Sequence, residues 1–144
     1  EELLYHCHKT IMEMSIEKLK EISLKNISPS KKLEEAIKSH IKLAATEKSM
    51  IMAMNKPGQY FSGENLEEIV QSRDEYASYF DKFIAEGVES GEFHPINVKI
   101  VRMIILGAMN RIPEWFKSEG ELSIDEIADL YAEYLLRMVL KEQQ

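Results

Sequence analysis

Four histidines and one cysteine are the residues of this sequence whose side chains could serve as metal ligands or nucleophiles. No histidine lies three residues after a glutamate, which is the pairing that helical di-iron proteins use. His6 and His8 are two residues apart and lie on different faces of a helix, while His40 and Glu47 are separated by roughly 10 Å of helix rise. The spacing predicts no metal site, and we interpret His40 as a histidine at the edge of the core.

The motifs of common enzyme active sites are also missing from the sequence. It contains no Gly-x-Ser-x-Gly, no phosphate-binding glycine loop and no dinucleotide-binding motif. Cys7 has no neighbour that would activate a thiol, and we interpret it as a small buried hydrophobic residue. We therefore predict that the chain is not an enzyme and has no catalytic residue, metal or cofactor.

Two polar residues interrupt apolar helix faces. Arg73 lies in a series spaced by three and four residues with Ile69 and Tyr76. Its guanidinium either anchors an anionic ligand group, pairs with a glutamate of a neighbouring helix, or extends along the aromatic side chains to water. Asn110 lies three residues before Pro113, which ends its helix and frees a backbone carbonyl. The Asn110 amide either contacts a ligand, bridges a dimer, or satisfies that carbonyl.

Methionine and aromatic residues recur in the same helices, and together they could line an adaptable apolar pocket. The alternative is that these side chains form an ordinary core, because methionine at helical spacing is common there. The candidate ligand-binding residues are Met50, Met54, Tyr60, Phe61, Arg73, Tyr76, Phe80, Phe83, Met103, Asn110 and Trp115.

The elements that must position these residues are long helices, because the 144 residues include only six glycines and four prolines. Apolar residues recur at helical spacing throughout, and no segment alternates with the period of a strand. We predict an all-α bundle of five helices over residues 1–26, 29–54, 63–90, 97–120 and 123 onward, with a sixth short turn near 56–62. Ser28 before Pro29, Asn97, and the capping box Ser123–Glu126 mark helix starts, and Gly91 marks an end.

The helix over residues 97–120 is apolar nearly all round, and the last helix carries two adjacent apolar stripes. Such a helix is either central in its own fold or covered by a partner subunit. We favour an isologous homodimer built from these two helices and their symmetry mates. The candidate interface residues are Val101, Ile105, Ala108, Ile112, Ile127, Tyr131, Tyr134, Leu135 and Met138.

Charge and composition limit the partners of the chain. The formal net charge of −7 argues against binding of phosphate backbones by this chain itself. No apolar run approaches the roughly 20 residues that cross a bilayer, so no membrane association is predicted. A single cysteine suits a reducing compartment, and we predict a cytoplasmic protein.

The later half of the sequence resembles the C-terminal region of tetracycline-repressor-type (TetR) transcriptional regulators. The resemblance is carried by Gly107-Ala108-Met109-Asn110, Trp115-Phe116, Gly120, Leu122-Ser123 and Glu126-Ile127-Ala128. It is closest to the branch that senses acyl-CoA. The sequence also follows a pattern of that branch at Arg73, Tyr76, Phe80, Gly87 and Gly91-Glu92-Phe93. Glu1-Glu2-Leu3-Leu4 resembles the segment after the helix-turn-helix of the family. Pro113 and His94 depart from the pattern.

The resemblance implies that residues 1–144 form an effector-binding and dimerisation domain, and that an N-terminal helix-turn-helix DNA-binding domain is absent from this sequence. It implies a repressor that leaves its operator when a small hydrophobic effector, such as an acyl-CoA, binds in the helical core. The partners would be a second copy of the chain, the effector, and DNA through the absent domain. The alternative is a lipid carrier or accessory protein of the same fold that does not bind DNA.

Overall fold

The computed structural model describes residues 1–142 and is all-α over that range, as predicted. Its first four elements are α1 (Glu2–Leu24), α2 (Pro29–Thr46), α3 (Lys48–Asn55) and a 3₁₀ helix (Pro57–Gln59). The remaining helices are α4 (Gly63–Ser90), α5 (Val98–Met109), α6 (Ile112–Trp115) and α7 (Ile124–Val139). No helix in the described range is long and apolar enough to cross a membrane.

The helix ends follow local capping chemistry. Ser28 accepts a hydrogen bond from the Lys31 backbone N–H at 3.2 Å, and Asn97 caps α5 through the Ile100 N–H at 3.0 Å. Ser123 and Glu126 form the reciprocal capping box at the start of α7. Gly91 ends α4 with φ +86°, a conformation that glycine adopts without a steric penalty. These four capping predictions are confirmed.

Two predicted helices are divided in the structure. The predicted helix 29–54 breaks at Glu47, which leaves helical geometry (φ −113°, ψ 57°) and separates α2 from α3. The predicted helix 97–120 ends at Met109, because Pro113 cannot donate a backbone hydrogen bond within a continuing helix and instead occupies the first turn of α6. The short turn predicted near 56–62 is the 3₁₀ helix.

Helix α2 is the centre of the fold and contacts each of the other six α-helices. One face of α2 is fully buried and consists of Leu33, Ala36, Ile37, His40, Ile41 and Ala44. Helix α5, by contrast, buries Val101, Ile105 and Met109 but leaves Ile100 and Ile104 about half exposed, at 51% and 47%. Of the two expectations for α5, a central position is therefore not observed.

Helix α1 packs mainly on α4 and buries Tyr5, His8, Met12, Leu19 and Ile22. Cys7 is exposed, and the prediction that it is buried is wrong. The reason is geometric, since Tyr5, His8 and Met12 define the buried stripe and Cys7 is turned about 100° away from His8.

The end of α4 packs closely against the loop that follows it. Phe93 is buried and its ring lies directly on Gly87, whose carbonyl oxygen accepts a hydrogen bond from the Phe93 N–H at 2.9 Å. A Cβ atom at residue 87 would overlap the aromatic ring. Glycine is therefore required at this point of α4 for steric reasons.

We expect the substitution Gly87→Ala to lower the free energy of unfolding by about 1–3 kcal/mol, because the added methyl group displaces Phe93 from a filled core. Urea unfolding followed by circular dichroism would measure the loss. Gly58→Ala is the matched control, since nothing lies within 4 Å of a Cβ at residue 58. Equal midpoints for the two variants would contradict the steric explanation.

Candidate ligand-binding site

A cavity of about 300 Å³ lies between α2, α4 and α5 and extends to the end of α3. This volume is at the lower end of the range for small-molecule sites. The lining combines apolar side chains with a few polar groups and two arginines. The lining residues are His40, Met54, Asn55, Arg73, Asp74, Tyr76, Ala77, Arg102, Met103, Leu106 and Asn110.

A chain of two hydrogen bonds crosses the inner wall of this cavity. His40 Nδ1 lies 2.7 Å from the Tyr76 hydroxyl, and His40 Nε2 lies 2.6 Å from Asn110 Oδ1. An amide oxygen can only accept, so Nε2 carries the imidazole proton and Nδ1 accepts from the Tyr76 O–H. Hydrogen bonds are therefore donated from the Tyr76 hydroxyl to His40 and from His40 to the Asn110 amide oxygen.

Burial keeps these groups uncharged. The His40 side chain is fully buried, and desolvation lowers the pKa of its imidazole to about 4, against a smaller raising effect of the bond to Asn110. Desolvation also raises the pKa of the Tyr76 hydroxyl above its usual range. At neutral pH the inner wall of the cavity is therefore polar but carries no charge.

The position of Asn110 follows from the end of α5. Its backbone N–H donates to the Leu106 carbonyl at 2.8 Å, which closes the last turn of the helix. Its own carbonyl accepts from Asn55 Nδ2 at 3.4 Å. The side-chain oxygen accepts from His40, and within residues 1–142 no hydrogen bond joins the side-chain amide to the Met109 carbonyl.

The two arginines of the cavity differ in their pairing. Arg102 Nε lies 3.0 Å from Asp81 Oδ1 and joins α5 to α4. Arg73 Nε lies 3.7 Å from Asp74 Oδ1 of its own helix, and its side chain is 38% exposed. Within the described residues no glutamate of a neighbouring helix pairs with Arg73, so its guanidinium has the greater freedom to bind an anion.

The structure brings five of the eleven predicted ligand-binding residues together around the cavity, and these are Met54, Arg73, Tyr76, Met103 and Asn110. Three others, Met50, Phe80 and Phe83, lie in the core. Phe61 belongs to a second apolar cluster with Tyr5, Ala53 and Ile69, and Tyr60 is exposed. Trp115 stacks on Tyr131 and lines another cavity, of about 320 Å³.

His40 and Arg102 are cavity residues that the sequence analysis did not select. The assignment of His40 to the edge of the core is wrong, since the side chain is completely buried. Its spacing in the sequence could have predicted this burial, because His40 continues the apolar stripe of Ile37, Ile41 and Ala44. A titratable group within such a stripe needs partners from other helices, and those partners lie 36 and 70 residues away along the chain.

The predicted interface residues fall into two groups. Val101, Ile105, Ile112 and Ile127 are buried in the core of the single chain and are not accessible to a partner. Tyr134 is 58% exposed, whereas Ala108, Tyr131, Leu135 and Met138 are partly buried. The exposed apolar face of α5 consists instead of Ile100, Met103 and Ile104.

The chain belongs to the family described as Tetracyclin repressor-like, C-terminal domain, whose model matches residues 26–139. Regulators of this family are dimeric and bind DNA. No curated protein sequence matches the chain significantly.

Three solved structures illustrate how far the fold is shared. A TetR/AcrR-family regulator from Thermobifida fusca is 23% identical, covers 94% of this chain and 72% of its own, and has a TM-score of 0.85. The ketosteroid regulator KstR2 of Mycobacterium tuberculosis is 15% identical, with coverage of 99% and 74% and a TM-score of 0.89. FadR of Bacillus subtilis, in complex with stearoyl-CoA, is 22% identical, with coverage of 92% and 73% and a TM-score of 0.73.

We expect the stability of the domain to fall as the pH drops below about 6.5. His40 is neutral in the folded chain down to a pKa of about 4, whereas the unfolded chain takes up the proton near 6.5, so acid favours unfolding by about 3 kcal/mol over this window. Urea unfolding at a series of pH values would measure the slope.

The variant His40→Gln should flatten this dependence, because a glutamine amide donates to Asn110 and accepts from Tyr76 but does not titrate. His6→Gln is the control, since the His6 side chain is 66% exposed. An unchanged slope in His40→Gln would show that other groups set the acid sensitivity.

Proposed function

We propose that this chain is the effector-binding and dimerisation domain of a TetR-family transcriptional regulator, and that the cavity between α2, α4 and α5 binds a hydrophobic, acyl-CoA-like effector. The observation that carries the proposal is the lining of this cavity. Met54, Met103 and Leu106 supply apolar surface, the neutral inner wall supplies hydrogen bonds, and Arg73 supplies a positive charge that can meet a phosphate.

The size of the cavity indicates the class of acyl group. A volume of about 300 Å³ suits a short acyl chain, with the nucleotide part of the coenzyme outside the cavity. The stearoyl-CoA complex of FadR supports the choice of a thioester as the ligand class, since that protein has the same fold. The proposed effector of this chain is shorter than stearoyl.

The packing of α4 offers a route from ligand to DNA. Tyr76 lines the cavity and also a groove between α1 and α2, and α4 is the main neighbour of α1. A ligand that shifts α4 therefore changes the packing of α1. In the proposed whole protein, α1 follows a helix-turn-helix domain, and the ligand favours the conformation that leaves the operator. The greater length of the solved relatives supports such an additional domain.

The proposal includes a homodimer through α5 and α7. Ile100, Ile104 and Tyr134 are about half exposed or more, and nothing in the described range of the single chain covers them. A second copy related by a two-fold axis would bury this apolar surface on both chains.

The effector class is tested by calorimetric titration with acyl-CoA thioesters from acetyl to stearoyl. We expect the tightest binding for short acyl chains and weak binding for coenzyme A alone, because the acyl group fills the apolar part of the cavity. The absence of binding across the whole series would overturn the proposed effector.

Arg73→Gln should weaken binding of the preferred thioester about 10-fold, because one charge-assisted contact to the coenzyme is lost. Arg111→Gln is the matched control, since this arginine pairs with Glu114 away from the cavity. Equal affinities of the two variants would show that Arg73 does not contact the ligand.

Ile104→Glu should dissociate the dimer, because a carboxylate would be buried without a partner at the interface. Light scattering after size-exclusion chromatography would give the mass. Leu24→Glu is the control, an equally drastic change at a residue that is 77% exposed on α1. A monomeric wild-type chain at tens of micromolar, or a dimeric Ile104→Glu variant, would contradict this interface.

A further inference from the structure

One polar group on the cavity wall has no hydrogen-bond partner within residues 1–142. Asn110 uses its side-chain oxygen to accept from His40, while its amino group, Nδ2, makes no protein hydrogen bond in that range. Nδ2 is also not a buried, unsatisfied atom, so it is accessible from the cavity side. The amino group can therefore donate to a molecule in the cavity.

The two hydrogen bonds of His40 favour the present orientation of the Asn110 amide. If Asn110 rotated by 180°, Nδ2 would face the N–H of His40, and two donors would oppose each other. A turned amide would be satisfied only if the imidazole proton moved to Nδ1 and the Tyr76 hydroxyl accepted instead of donating, so both partners would have to rearrange together. The His40 side chain is itself fully buried.

The chemistry of the wall selects the ligand group. Nδ2 is only a donor, so the ligand must present an acceptor, and the neighbouring Leu106 and Met103 require that this acceptor be attached to an apolar group. Of the two arginines in the lining, Arg102 is paired with Asp81 and Arg73 is assigned above to the phosphate. Tyr76 and His40, which are bonded in series with the amide, are neutral and offer no charge to compensate a desolvated carboxylate. A neutral carbonyl oxygen at the base of an acyl chain fits these conditions.

We infer that Asn110 Nδ2 is the donor that recognises the carbonyl oxygen of the effector, and that His40 and Tyr76 are positioning residues that hold the amide in the donating orientation. The inference rests on the proposed function, because it names the atom by which the cavity identifies a thioester. The site thereby distinguishes an acyl from an alkyl derivative of coenzyme A.

The experiment compares butyryl-CoA with S-butyl-CoA, in which a methylene replaces the carbonyl. In the wild-type chain, calorimetry should show about 10-fold or greater preference for butyryl-CoA, since the thioether leaves Nδ2 without an acceptor. In Asn110→Leu this preference should disappear. Asn65→Leu changes an amide outside the cavity and should retain the preference.

Two variants of His40 test whether this residue positions the Asn110 amide or only stabilises the fold. His40→Gln keeps a donor for Asn110 and an acceptor for Tyr76, so it should retain the preference for the carbonyl compound. His40→Leu frees the amide and should lose the preference even though Asn110 is present. If Asn110→Leu does not fold, Asn110→Asp keeps the acceptor for His40 and removes both donors.

The outcomes distinguish the two proposals. Equal binding of butyryl-CoA and S-butyl-CoA by the wild-type chain overturns the role of Asn110 and leaves the proposed effector class standing. A preference that persists in Asn110→Leu or in His40→Leu also overturns it. Binding of neither compound overturns the proposed function together with this inference.

Discussion

His40 lies near the centre of the helix that all other α-helices contact, and both of its buried ring nitrogens have hydrogen-bond partners. The partners are Tyr76 of α4 and Asn110 at the end of α5. These two bonds link three helices, and loss of either would leave a buried nitrogen unsatisfied, at a cost in free energy comparable to a lost hydrogen bond or more. The cavity lies at the point where these helices meet.

His8 shows the contrasting case within the same chain. It is also buried, with its ring against Phe61, but neither ring nitrogen has a hydrogen-bond partner among residues 1–142, and burial lowers the pKa of its imidazole. It therefore adds to the acid sensitivity of the fold without organising a site. The difference is that the His8 ring packs edge-on against Phe61 of the smaller cluster, whereas the His40 ring nitrogens contact a hydroxyl and an amide.

Helix α5 serves both the core and the surface. Its inner face packs Val101, Ile105 and Met109 into the core, and its last turn places Asn110 on the cavity wall. The opposite face leaves Ile100 and Ile104 uncovered. In the proposed dimer, a ligand that moves α4 and α5 would therefore also affect the contact between subunits. Family membership, the cavity lining and the uncovered face of α5 together support a sensor domain.

The sequence by itself determined the helical class, most helix ends and the family. These features depend on local information, namely the spacing of apolar residues and capping side chains such as Ser28, Asn97 and Ser123, which act within one turn. The sequence also indicated five of the cavity residues. Arg73 and Asn110 interrupt apolar faces, and Met54, Tyr76 and Met103 belong to the recurring methionine and aromatic residues. It did not determine which face of α5 is buried, since that helix is apolar nearly all round and its periodicity is uninformative.

Only the tertiary structure decided that α2 is central and that His40, Tyr76 and Asn110 meet. The three residues lie 36 and 34 positions apart along the chain, and no local pattern links them. Their contact results from packing α4 and the end of α5 against the same face of α2. The sequence supplied the groups, and the packing of three helices brought them into one site, where the buried imidazole is satisfied.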